Sequence, residues 1–227
     1  MLIERIVKIR MAIIWKQIKQ ILITAMYLLF IVPVCAQVKP KATPPVKRHP
    51  SSNQLKDFFN LVAQANATFV YPKGFREIKA PDDEDFSFDY GLELPGRDFE
   101  IWFQVKPEKE DWFNYTRTQY NKDSQMANPD SVYITKGTAN VLAFTGEKKC
   151  FETTLPPRVL ARYHADAGKS YLLTLLDLPQ TNHYKYALLT TLQKNHTGTI
   201  LMICFTNEKG PEFYKNISRA CSSLRFK

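Results

Sequence analysis

Phe86-Ser87-Phe88-Asp89-Tyr90-Gly91-Leu92-Glu93-Leu94 is the stretch that decides the fold, because large apolar side chains alternate there with small or polar ones. Successive side chains of an extended chain point to opposite faces, so the pattern predicts a strand buried on one side. Pro95-Gly96-Arg97-Asp98 is rich in turn formers, and Phe99, Ile101, Phe103 and Val105 then resume the alternation. The two halves predict a β-hairpin. Asp89 and Glu93 lie on the polar face of the first strand, for which solvent or a sheet edge is expected. Trp102 breaks the pattern on the second strand. It falls on the polar side with Glu100 and Gln104, where a ring needs a helix or a partner to cover it.

Upstream, Leu55, Phe58, Phe59 and Val62 have helical spacing, with Ser51 and Gln54 in the positions of a capping box. Phe69-Val70-Tyr71-Pro72-Lys73-Gly74-Phe75 then predicts a short strand and a turn, followed by a second short strand to Ile78. Downstream, Pro107 is expected to open a helix with Glu108, Glu110 and Asp111 in its first turn and Arg117 and Lys122 near its end, as the helix dipole favours. Strands are expected at 131–136 and 140–145, and a helix from Pro157 to Ala167 stopped by Gly168. The last third predicts a meander of three strands, 171–178, 184–193 and 199–206, whose short connections make them antiparallel neighbours. Ile200-Leu201-Met202-Ile203-Cys204-Phe205 is apolar on both faces, which implies a central strand. Gly210-Pro211-Glu212 starts a final helix with Phe213, Ile217, Ala220, Cys221 and Leu224 as its buried stripe. The expected class is α+β, an antiparallel sheet flanked by helices, in one domain over 51–227.

That order of elements, with the Tyr71-Pro72-Lys73-Gly74-Phe75 turn, the long hairpin, the middle helices, the meander and a closing Ser222-Ser223-Leu224-Arg225-Phe226 helix, resembles the PsbP-like α/β/α sandwich family. The resemblance covers most of Thr68 to Phe226. It implies a small exported or lumenal protein acting as an accessory, binding or assembly factor rather than an enzyme. No family ligand motif matches residue by residue, so no site carries over.

The chain of 227 residues has a formal charge of +9. Of that excess, +4 lies in residues 1–36 and another +4 in 37–50, which leaves 51–227 at +1. A nucleic-acid groove needs clustered Lys and Arg, and the body of the chain has no such cluster. Lys16 and Lys19 precede an apolar run from Ile21 to Val34, which ends in Val34-Cys35-Ala36 before Gln37. This is the pattern of a signal peptide cleaved after Ala36, in a protein bound for the periplasm or the extracellular space. Met11 is an alternative start, an uncleaved anchor the alternative fate, and lipidation of Cys35 a lesser one. Pro40, Pro44, Pro45 and Pro50 make 37–50 an extended linker. Its Lys39, Lys41, Lys47 and Arg48 either stay solvated or touch an anionic membrane surface.

The sequence offers little catalytic chemistry. It has no Gly-x-Ser-x-Gly elbow, and its eight glycines are too scattered for a phosphate-cradling loop. His164 and Asp166 are two apart, and His183 and His196 fall in later loops, so no metal-ligand spacing is present and no cofactor is expected. Asp82-Asp83-Glu84-Asp85 lacks the spacing that wraps calcium and fits a solvated loop better. Cys150, beside Lys148 and Lys149, is a candidate nucleophile with a lowered thiol pKa and His164 as its base, but the local signature of such an enzyme is missing. Cys204 and Cys221 are expected to be buried, and a bridge from Cys150 to either is open. Trp102, Trp112, Tyr115, Tyr120, Tyr184 and Tyr186 are candidates for an aromatic groove. The expected function is that of an exported, non-catalytic domain binding another protein or a small ligand, with no catalytic, cofactor or metal residue assigned. The alternatives are a secreted hydrolase using His164, Asp166 or Cys150, and an envelope-surface adaptor.

Overall fold

The computed structural model describes residues 52–81, 86–120, 126–147 and 150–227. The expectations for the leader, the linker and the acidic run Asp82–Asp85 lie outside them.

Helix α1 (Asn53–Gln64) starts at Ser52, whose hydroxyl accepts from the Leu55 amide at 3.0 Å, and it buries Leu55, Phe58 and Val62. Ser51, the other half of the expected capping box, lies outside the described residues, and the Gln54 side chain is engaged elsewhere. It clamps the backbone after the second short strand, donating to the Ile78 carbonyl at 2.9 Å and accepting from the Ala80 amide at 3.1 Å. The chain continues through β1 (Ala67–Phe69), β2 (Arg76–Ile78) and the expected hairpin, β3 (Tyr90–Glu93) with β4 (Glu100–Pro107). Then come α2 (Lys109–Thr118), a single 3-10 turn over Pro129–Ser131, α3 (Val132–Thr145), β5 (Phe151–Thr154) and α4 (Pro157–Tyr163). The meander forms as β6 (Ala167–Thr174), β7 (Tyr186–Lys194) and β8 (Gly198–Thr206). It is followed by α5 (Pro211–Cys221) and β9 (Leu224–Phe226).

The main sheet has seven antiparallel strands in the order β2-β3-β4-β8-β7-β6-β5. Strand β8 lies near its middle and is buried at every residue, as its unbroken apolar run predicts. Its even-numbered Ile200, Met202 and Cys204 join one core with Leu55, Phe58, Phe213 and Cys221. The odd-numbered Leu201, Ile203 and Phe205 join a second core with Val141 and Phe144 of α3. Helices therefore cover both faces, α1 and α5 on one and α3 on the other, and the α+β class is as expected.

Four corrections follow from packing that local pattern does not encode. First, 131–145 is not two strands but mainly helix α3. Val132, Ile134, Thr135 and Thr138 favour extended chain and Gly137 looks like a turn, which together suggest strand-turn-strand. Tertiary burial overrides that preference, since Gly137, Val141 and Phe144 are spaced to face the sheet. The hydroxyls of Thr135, Thr138 and Thr145 donate back to carbonyls of the same helix. Gly137 lies directly over Tyr171, whose hydroxyl would be 2.8 Å from a Cβ there.

Second, Gly168 does not stop α4. His164 does, in the left-handed conformation at φ 51°, and Gly168 sits inside β6, where a Cβ would lie 2.7 Å from the Thr191 carbonyl. Third, the closing segment is not helical beyond Cys221. Ser222 and Ser223 turn their hydroxyls onto the Arg219 and Ala220 carbonyls, and β9 then pairs with β1 as a separate two-stranded sheet. Fourth, the aromatic alternation slips. Phe86 and Phe88 lie in the α3-side core, whereas Tyr90 and Leu92 lie in the other. The chain bends at Asp89, whose amide donates to the Phe103 carbonyl and whose carboxylate accepts from the Val105 amide at 2.6 Å. Such a bend changes which face the next residue meets.

Candidate functional site

Only part of the expected polar face of the hairpin meets solvent. Glu93 stays partly exposed, but Trp102 is buried against Phe88, Phe144 of α3 and Phe205 of β8. Glu100, two residues earlier on the same face, is carried under cover with it and is only 6% exposed. It begins β4, between Glu93 of β3 and Phe205 of β8. Asn182 Nδ2 donates to its Oε1 at 2.8 Å, the Tyr184 hydroxyl donates to the same oxygen at 3.4 Å, and Trp102 Nε1 donates to Oε2 at 3.3 Å.

All three donors are neutral. Burial pushes the Glu100 carboxyl above its ordinary range, and these hydrogen bonds offset the shift only in part. Burial, with the Glu100 charge next, also pushes the Tyr184 hydroxyl well up, so it stays a neutral donor. Asn182 and His183 both adopt left-handed backbone, φ 49° and 58°. Two such residues in succession, neither of them glycine, mark a loop held in shape by its surroundings. Glu100 lies at the wall of an open cleft of about 380 Å³, shared with Ile78, Ala80, Pro81, Glu93 and Asn182. The exposed Lys79 stands at its rim.

A second buried glutamate lies just past the other end of β4. Glu108 was expected to serve the helix dipole of α2. It is instead fully buried at the position before that helix and bonds into the sheet. Gln193 Nε2 donates to Glu108 Oε2 at 2.9 Å, and the Thr199 hydroxyl lies 2.7 Å from both Glu108 Oε1 and Gln193 Oε1. Gln193 and Thr199 are direct cross-strand partners on β7 and β8. The network extends to Asp130, whose Oδ1 accepts from Trp112 Nε1 at 2.7 Å, the His196 amide at 2.8 Å and Gln193 Nε2 at 3.2 Å. The His196 ring stands edge-on to Trp112, 4.0 Å between centroids.

The residues named from sequence for a hydrolase do not converge. Cys150 directly precedes β5, whose first residue Phe151 pairs with Leu172 of β6, whereas His164 and Asp166 precede the opposite end of β6. The separation along the strand is about 20 Å at 3.3 Å per residue. Burial, and then Glu152, pushes the Cys150 thiol up rather than down. Asp166 engages Lys194 Nζ and the Asn195 amide, both at 2.9 Å, and not His164. Its partial burial opposes the charge, but those contacts outweigh it and hold the carboxyl below its ordinary range. His183 pairs with Asp177, and His196 lies near Asp130, so the three described histidines occupy separate loops.

Neither bridge from Cys150 forms. Cys150 packs against the α3-side core, while Cys204 and Cys221 face the other core. The candidate aromatic groove is also divided. Trp102 and Tyr184 belong to the Glu100 site, Trp112 and Tyr115 pack together on α2, Tyr120 is exposed, and the Tyr186 ring lies under Lys209.

Of the residues singled out from sequence, Trp102 and Tyr184 fall at the cleft, whereas Glu100 and Asn182 carry no signal of their own and Glu108 reads only as a helix-dipole acid. No protein-family model and no curated protein matches this chain.

Proposed function

We propose that this chain is an exported, non-catalytic binding domain whose recognition element is the cleft at Glu100, and that its ligand, a protein or a small molecule, presents a cationic group there. The observation that carries this reading is a carboxylate nine-tenths buried in a cleft wall, whose donors among the described residues are all neutral. Neutral hydrogen bonds position a carboxylate without neutralising it. An ammonium or guanidinium about 4 Å away gains about 4 kcal/mol of Coulomb energy at an effective dielectric constant near 20. Glu93 in the same cleft adds negative potential, although Arg76 already pairs with it. The apolar leader, the proline-rich linker and the PsbP-like resemblance support an exported accessory factor.

The raised carboxyl also favours a second reading, in which Glu100 is a general acid in a small-molecule enzyme. One set of measurements addresses both readings. Cadaverine and agmatine, as ammonium and guanidinium probes, are titrated into nitrogen-15-labelled protein, and the Trp102 indole N–H resonance is followed. A saturable shift that Glu100→Gln abolishes is the expected result, and no shift at millimolar probe would overturn the binding reading. Turnover of a ligand that stops in Glu100→Gln would replace it with the catalytic one. Amino-terminal sequencing of the chain from the exported fraction should begin at Gln37. An intact Met1 or Met11 would overturn cleavage.

A further inference from the structure

Among the described residues, Cys204 and Cys221 are the two cysteines that the fold brings together. Cys204 lies on the central strand β8 and Cys221 is the last residue of α5, and their sulfurs are 3.6 Å apart. That is van der Waals contact for two sulfurs, and modest side-chain rotation closes it to the roughly 2.05 Å of a disulfide. Both are almost wholly buried in the core that α5 forms with the sheet, and Tyr163 of α4 stands beside both. We infer that Cys204 and Cys221 form a disulfide that ties α5 to the central strand whenever the chain folds in the presence of a disulfide oxidant.

The reaction is thiol–disulfide exchange. The thiolate of one cysteine attacks the oxidant's disulfide and forms a mixed disulfide, and a thiolate leaves. The thiolate of the second cysteine then displaces the oxidant's other sulfur, also as thiolate. Two cysteine thiols lose two protons and two electrons, and one oxidant disulfide becomes two thiols. Timing follows from burial. Once α5 has docked, neither sulfur is reachable, and burial and the neighbouring Cys221 hold the Cys204 thiol far above its ordinary range. Exchange therefore precedes the docking of α5, and the finished bond is shielded from reductant by the same packing. Cys150 takes no part, since the sheet separates it from the pair.

The test does not depend on export. The full chain is reduced, denatured, refolded in a mixture of oxidised and reduced glutathione, alkylated, digested and mapped by mass spectrometry. The expected product links the Cys204 and Cys221 peptides, two mass units lighter than the pair of thiols, with Cys150 alkylated. Its urea midpoint should exceed that of the reduced protein by about 1 M, for a loop of this length. Cys221→Ala should lose the linked peptide and the urea shift, leaving Cys204 alkylatable after denaturation. Recovery of both cysteines alkylated from folded, glutathione-treated protein, or a link from Cys150 to either, would overturn the inference. Chain recovered from the exported fraction should carry the bond as isolated. If the chain is missing from the exported fraction while the refolded chain is bridged, the export reading fails and the disulfide inference stands.

Discussion

Glu100 and Glu108 flank the same strand, β4, and both side chains are buried on the α3 side of the sheet, yet their surroundings differ. Glu108 has its two oxygens engaged by Gln193 and Thr199, residues already paired across β7 and β8, and the network continues to the half-buried Asp130. Glu100 has its oxygens engaged by a loop asparagine, a tyrosine hydroxyl and an indole, and it borders an open cleft. A carboxylate tied into strands on every side fastens the sheet to α2 and the turn at Asp130. One held by a strained loop at a cleft wall remains available to something that enters.

The largest expected effect is at the fastened end. Glu108→Ala leaves Gln193 and Thr199 without their shared acceptor and should cost about 3 kcal/mol in urea unfolding. Gln193→Ala should be non-additive with it in a double-mutant cycle, because both remove the same network. Glu100→Gln keeps the shape of the side chain and should cost less than about 1 kcal/mol, while weakening the cationic probes at least about tenfold. Equal destabilisation by the two substitutions would erase the distinction between the two glutamates.

A subtler contrast lies in pH. Glu100 is raised in the folded state, so the fold binds its proton more tightly than the unfolded chain does. The stability this contributes is complete below the ordinary carboxylate range and is lost as pH rises through the raised value. Wild type should therefore lose stability relative to Glu100→Gln on that rise, and a flat difference in melting temperature would sink the assignment. Binding of a cationic probe should run the opposite way and strengthen as Glu100 ionises.

Lys136 of α3 should show the smallest effect. Burial, and then Lys106, lower it below the ordinary lysine range. The unfolded chain thus holds that proton more tightly, so wild type should gain stability relative to Lys136→Met as pH rises through the lowered value toward 10.5. A difference independent of pH would show that Lys136 is not desolvated.

Much of the architecture is legible in particular residues. The run from Ile200 to Phe205 announces a central strand because only burial on both faces tolerates it, and the Phe99 to Val105 alternation announces its neighbour. Residues 132–145 mislead because β-branched side chains and Gly137 carry a local preference that the sheet beneath them reverses. The site is less legible than the fold. Glu100 lies 82 positions from Asn182 and Glu108 lies 91 from Thr199, so neither partnership leaves a local pattern. Trp102 alone hinted at cover on that face.

The sequence by itself determined the hairpin, the meander, the α+β class and the near-neutral body behind a basic amino-terminal stretch, since period and composition are properties of short segments. Tertiary structure alone decided that α3 is a helix, that Cys204 meets Cys221, and that one buried glutamate is fastened while the other faces a cleft. Each of those depends on which distant residue removes water from a side chain, and desolvation is set by packing across the whole fold.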